Sequence, residues 1–141
     1  MMARLLAPLA LLLLLLLNHP AAADLLVSSF GTDQVLRYNG STGAFLDAFV
    51  IAGSGGLDGP RGLTFGPDSN LYVGSGISNQ VLRYNGSTGA FLDAFVSASS
   101  ALGSPDGLTF GPDGNLYVAS LTSTLAGKVP LYRTRFLWTP G

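Results

Sequence analysis

The 141-residue chain carries only 7 Lys and Arg against 8 acidic residues, for a net charge of −1, and it has 19 glycines and no cysteine. So sparse and balanced a charge offers no basic face to nucleic acid, and the absence of cysteine excludes both a disulfide framework and attachment through a lipidated N-terminal cysteine. Its one histidine is His19, and it contains no glutamate.

Residues 1–23 read as a secretory signal peptide. A basic start ending at Arg4 precedes an apolar run over residues 5–17, and Ala21-Ala22-Ala23 supplies the small residues of a cleavage site. Thirteen apolar residues fall short of the about 20 needed to span a bilayer. The expected product begins at Asp24, is secreted or extracellular (or periplasmic), and has no membrane span. Losing Arg4 with the leader takes its net charge from −1 to −2. Losing His19 leaves it with no histidine, cysteine or glutamate, so the usual triads and acid–base pairs cannot be assembled and no catalytic residue is assigned.

Residues 24–120 are a tandem repeat. QVLRYNGSTGAFLDAFV occurs twice, at 34–50 and 80–96; LLVSS at 25–29 aligns with LYVGS at 71–75, and GLTFGPDSNLYV at 62–73 with GLTFGPDGNLYV at 107–118. A repeat of about 45 residues buries its core only by stacking on its neighbours. The full unit, 62–96, contains four apolar runs at 63–65, 71–75, 81–84 and 90–96, separated by Gly-Pro-Asp and Asn-Gly turns. A partial unit lies on either side, at 24–50 with three strands and at 107–120 with two. The expectation is all-β: blades of a β-propeller, four-stranded antiparallel repeats of 45–46 residues, in an incomplete propeller of nine strands. Within 90–96, alternation predicts Phe91 and Phe95 on one face and Leu92 and Val96 on the other. Asp47 and Asp93 fall in the outermost strand, where a charge discourages edge-to-edge aggregation, and Arg37 and Arg83 are predicted to pair with them diagonally. Asn39 and Asn85 open N-glycosylation sequons that are also Asn-Gly turns. Residues 121–141 leave the repeat: three of the six basic residues after the leader gather there, with Tyr132, Phe136 and Trp138.

The text PxGLTFGPDGNLYV followed by QVLRYNGSTGAFLDAFV resembles NHL-repeat proteins and the related gluconolactonase-like (SMP-30-like) six-bladed propellers, over about residues 25–120. In the lactonase-like family a Pro-Asn-Gly motif places an asparagine metal ligand; the matching positions here are Arg61 and Asp106. Asp106 is a candidate calcium ligand and Arg61 cannot be one, and the glutamate that the family site needs is absent. The streptogramin-lyase-like branch uses a histidine, and none follows the leader. No cofactor is therefore expected, with calcium the alternative.

Strand direction separates two rims. The short turns after the first and third strands share the lower rim and are nearly invariant; the loops after the second and fourth share the upper rim and differ between copies. Such variation is what a scaffold presenting a binding surface shows. The candidate ligand-binding residues are Asp33, Asp58, Arg61, Asn79 and Asp106. The expected function is a secreted, non-catalytic binding or structural module whose partners are further copies of itself, a protein or a carbohydrate, and not nucleic acid. The alternative is a truncated fragment of a gluconolactonase-like metal-dependent hydrolase.

Overall fold

A computed structural model describes residues 22–98 and 102–121. The proposed signal peptide lies almost wholly outside them, as does the tail beyond Leu121. The described residues form nine strands: β1 (Leu25–Ser29), β2 (Gln34–Tyr38), β3 (Phe45–Val50), β4 (Pro60–Phe65), β5 (Leu71–Ser75), β6 (Gln80–Tyr84), β7 (Phe91–Val96), β8 (Pro105–Phe110) and β9 (Leu116–Ser120). They make three antiparallel sheets in chain order, β1-β2-β3, β4-β5-β6-β7 and β8-β9. The only helical piece among them is a short 3-10 turn, Ser54–Gly56.

The turns form for local reasons. Asn85 accepts the backbone N–H groups of Ser87 and Thr88 through Oδ1, at 2.9 and 3.0 Å, and Gly89 takes the left-handed φ of +71° that closes the hairpin. Asn39 makes the same bonds one repeat earlier. The Gly-Pro-Asp turns likewise need one left-handed residue. Gly114 supplies it in one copy and Ser69, with φ 61°, in the other.

Stacking explains why the strands are apolar on both faces. Leu71, Val73, Leu82 and Tyr84 of the middle sheet pack against Val35 and Val50 of the first. From its opposite face, Tyr72 and Val81 pack against Leu116 and Val118 of the third. Consequently every residue of β5 is buried. The loops ahead of β4 and β8 each drop one leucine into these cores, Leu57 and Leu102. Burying a side chain of this size contributes about 1.5–3 kcal/mol.

Two expectations of alternation and pairing are corrected. Phe91 lies edge-on to Tyr84 at 5.8 Å, whereas Phe95 lies edge-on to Tyr72 at 4.9 Å, so the two rings serve opposite cores. The register shift between Arg83 and Tyr84 is the cause, because the extra residue there, Leu92, reverses the side-to-side order between Phe91 and the rest of β7. The observed register puts Asp93 directly opposite Arg83, and Asp47 opposite Arg37, rather than on the diagonal.

Inner strands of successive sheets approach very closely. A Cβ on Gly62 of β4 would lie 2.0 Å from the carbonyl oxygen of Asp106 on β8. Only glycine allows the two backbones that near.

Candidate functional site

β-Bulges create the upper-rim site. Pro60 pairs with Ser75 and Leu63 with Val73, so one extra residue is accommodated at Arg61-Gly62; β8 repeats this at Asp106-Gly107. A bulge re-aims the side chain it carries. Arg61 and Asp106, equivalent positions of adjacent blades, meet with Nη1 3.5 Å from Oδ1. The Arg61 guanidinium also lies over the Phe30 ring, 4.9 Å from its centroid. Ser28, Phe30, Pro60, Arg61, Gly62 and Asp106 line an open cleft of about 530 Å3. Nε of Arg61 is buried without an acceptor among the described residues, so the arginine retains donor capacity beyond its contact with Asp106.

The other three sequence candidates build the rim. Asp33 is left-handed, with φ 53°, and its Oδ1 accepts the N–H of Gly59 at 2.8 Å. Asn79, one repeat on, has φ 57° and accepts the N–H of Ser104 at 2.7 Å. Both are latches between one blade's loop and the next blade's entry. Asp58 is fixed through its backbone: its N–H donates to Oγ of the buried Ser75 at 2.9 Å, and its carbonyl accepts from the same hydroxyl at 3.0 Å. The structure therefore brings Arg61 and Asp106 together at the cleft and gives Asp33, Asp58 and Asn79 to the loops behind it.

Ser28 and Phe30 were missed in the sequence. A signal existed at Phe30, which stands where the second repeat has Gly76. That glycine is needed where it is, since a Cβ there would lie 2.7 Å from Nε of Arg61.

The calcium centre that the lactonase resemblance implies does not fit these residues. A guanidinium faces the Asp106 carboxylate where a second oxygen ligand would be required, and it opposes a divalent cation. Among the described residues no three of His, Cys, Asp and Glu come together.

A second cleft, of about 690 Å3, opens on the lower rim between Pro67, Asp68, Tyr72, Arg83, Phe110 and Asp113. Its polar groups are engaged, Asp68 with Tyr72 and Arg83 and Asp113 with Asn115 and Tyr117. Burial pushes the Asp68 carboxyl up, but bonds from Asn70 and Tyr72 and the nearby Arg83 charge outweigh it and hold the group below the usual aspartate range. Asp113 is also lowered, chiefly by the backbone N–H of Asn115. Desolvation raises Tyr72. The hydrogen bond to Asp93 raises Arg83.

No family model matches the chain, and no curated protein sequence matches it. Solved structures do. The chain is similar to a luciferin-regenerating enzyme with a TM-score of 0.57 and 20% identity, covering 73% of this chain and 35% of that one. It is similar to catalytically inactive virginiamycin B lyase from Staphylococcus aureus with quinupristin, with a TM-score of 0.56 and 12% identity, covering 82% of this chain and 39% of that one. The chain thus matches well under half the length of either protein, and the likeness shows the fold: an all-β stack of propeller blades, open at both ends of the described residues.

Proposed function

We propose that the chain is an exported, non-catalytic propeller module that binds a ligand at its upper rim. Within the propellers, its repeat text resembles the NHL and gluconolactonase-like groups. The observation that carries the reading is the meeting of Arg61 and Asp106 on paired bulges, beside Phe30, at the mouth of a cleft. Arg61 donates in a rigid fork, Asp106 accepts, and Phe30 adds a ring that is 46% exposed. Donor, acceptor and apolar face together suit a hydroxyl-rich ligand, so carbohydrate is the favoured class and a protein surface the other. Asp33, Asp58 and Asn79 support this role by holding the loops that frame the cleft. The absence of His, Cys and Glu after residue 23 leaves the site without a usual acid–base pair.

Screening the purified chain on a glycan array tests the proposal. Binding should be retained when Asn39 is changed and lost in both Arg61→Ala and Asp106→Ala. Glycan binding unaffected by both cleft variants would remove the upper-rim assignment, and a chain that retains no glycan would point to a protein ligand. Intact-mass analysis of the exported product tests the leader: the mass expected is that of a chain beginning at Asp24.

One observation favours a second reading, a piece of a longer gluconolactonase-like metal-dependent hydrolase. Both solved structures are named as enzymes, and this chain covers 35% and 39% of them. Under that reading the metal and the acid–base residues lie in blades outside this sequence. Sequencing the coding DNA beyond Gly141 separates the two. Further in-frame blades carrying glutamate or histidine support the hydrolase, and their absence supports the binding module.

A further inference from the structure

The third sheet stops halfway through its repeat. β5 is hydrogen-bonded on both sides, to β4 and to β6. Its equivalent, β9, pairs with β8 alone among the described residues, which leaves it an open edge of N–H and C=O groups. In the middle sheet the hairpin turn between β6 and β7 closes the lower rim. A Cβ on Gly86 of that turn would strike the carbonyl oxygen of Ser69 and lie 3.1 Å from the Phe65 ring, and one on Gly89 would strike the carbonyl oxygen of Phe49 in the preceding sheet. In the third sheet Phe110 and Gly114 stand where Phe65 and Ser69 stand, and they line the open lower-rim cleft of about 690 Å3. The cleft is thus the seat of a turn that the described residues do not supply. Val96 marks the same gap: it is only partly buried, whereas Val50, its equivalent one sheet earlier, is 0% exposed.

The chain outside the described residues has the length to fill that seat. Residues 122–141 follow directly on β9 and Leu121, and they are as many as run from Ile77 to the end of β7 at Val96. At the offset of 45 that carries Leu71 to Leu116, Phe91-Leu92 falls on Phe136-Leu137 and Arg83 on Lys128. Gly86 and Gly89 fall on Leu131 and Thr134, so this segment meets the cleft with side chains where the middle sheet's turn brings bare backbone. Charge agrees. Asp68 and Asp113 line the cleft and Asp93 holds its arginine, so three carboxylates there stand against the one guanidinium of Arg83 among the described residues. The segment carries Lys128, Arg133 and Arg135 and no acidic residue.

We propose that residues 122–141 dock on the open edge of β9 and in the lower-rim cleft of the same chain, completing the third sheet. Backbone pairing along the edge supplies the attachment, as when an added strand extends a sheet, and the basic side chains meet the carboxylates of the cleft. Because the segment leaves directly from the end of β9, docking is intramolecular and needs no partner. This holds whether or not the upper rim binds carbohydrate.

Hydrogen exchange read by mass spectrometry on the full chain provides the test. In the parent, peptides from residues 125–141 should exchange more slowly than unstructured peptide, and equally so at every protein concentration. Leu131→Asp and Phe136→Asp should each abolish that protection and speed exchange in β9, while β5, paired on both sides by β4 and β6, keeps its own. Phe136→Ala repeats the test if the aspartate variants lose protection in β5 as well. A parent segment that exchanges as fast as unstructured peptide, protection that vanishes on dilution, or β9 protection that survives every substitution overturns the proposal.

Discussion

Arg83 and Asp93 sit directly across the β6–β7 ladder and form a bidentate pair, Nε to Oδ1 at 3.1 Å and Nη2 to Oδ2 at 2.5 Å. Arg37 and Asp47 repeat the arrangement at the same distances one blade earlier. The first and middle sheets therefore each end in an edge strand whose one charge is matched from the strand beside it. An unmatched charge would still protect the edge, but it would leave the neighbouring arginine unpaired over aromatic rings.

Substitutions at the pair should be unequal. The Asp93 side chain is 46% exposed, so Asp93→Ala is expected to cost no more than about 1 kcal/mol. Arg83→Ala should cost more, because Arg83 also stacks over Tyr72 at 6.0 Å and Phe95 at 5.7 Å and contacts Asp68. Chemical unfolding of the two single variants and the double variant measures the difference. Equal losses in the two singles would show that the ring contacts contribute nothing.

The loop latches give a sharper contrast. Asn79→Asp should leave stability within about 0.5 kcal/mol of the parent, since Asp33 already performs the same task at a left-handed φ. Asn79→Ala removes the acceptor for Ser104 N–H and places alanine at φ 57°, a change expected to cost about 1–3 kcal/mol. Thermal unfolding resolves the two. If Asn79→Ala proves as stable as Asn79→Asp, the latch has no energetic weight.

Ser69 offers a stabilising change. It holds φ 61° in a turn where the next repeat uses Gly114, and its side chain makes no hydrogen bond that requires serine among those described. Ser69→Gly relieves the left-handed strain and should raise stability by about 0.5–1 kcal/mol, net of the entropy that glycine adds to the unfolded chain. A lowered melting temperature would mean that the unfolded-state term dominates.

Stability should fall at both extremes of pH. Asp68 and Asp113 are held below the ordinary value of 3.8, so the folded state favours their charged forms. That contribution is present above the unfolded value and is lost as pH falls through the lower folded values. Tyr72 and Tyr84 are raised above 10.0 by burial, so the folded state favours their neutral forms. Their contribution is present below the unfolded value and is lost as pH rises beyond it. Urea midpoints across the pH range should show a plateau bounded by both limbs. Tyr84→Phe should flatten the alkaline limb, while also costing about 1 kcal/mol through the lost bond to the Ser54 carbonyl. An alkaline limb unchanged in that variant would place its origin elsewhere.

The repeat determined the strands, and two-sided apolarity determined that the sheets stack, because short segments such as LYVGS and QVLRY reach a core only when neighbours cover both faces. Turn chemistry was equally legible, since Asn-Gly and Pro-Asp act within a few residues. What the sequence could not determine was which way a side chain faces beyond a bulge. An extra residue at Arg61-Gly62 or in β7 changes facing without changing the letters, so Phe91 and Phe95 parted and Arg83 met Asp93 head-on only in the folded sheet. In the sequence the five rim candidates form one group because they share a rim. Tertiary structure divided them: Asp33 and Asn79 bind the next blade's backbone, and Arg61 meets Asp106 because two inner strands, 45 residues apart in the chain, are packed so closely that only glycine fits between them.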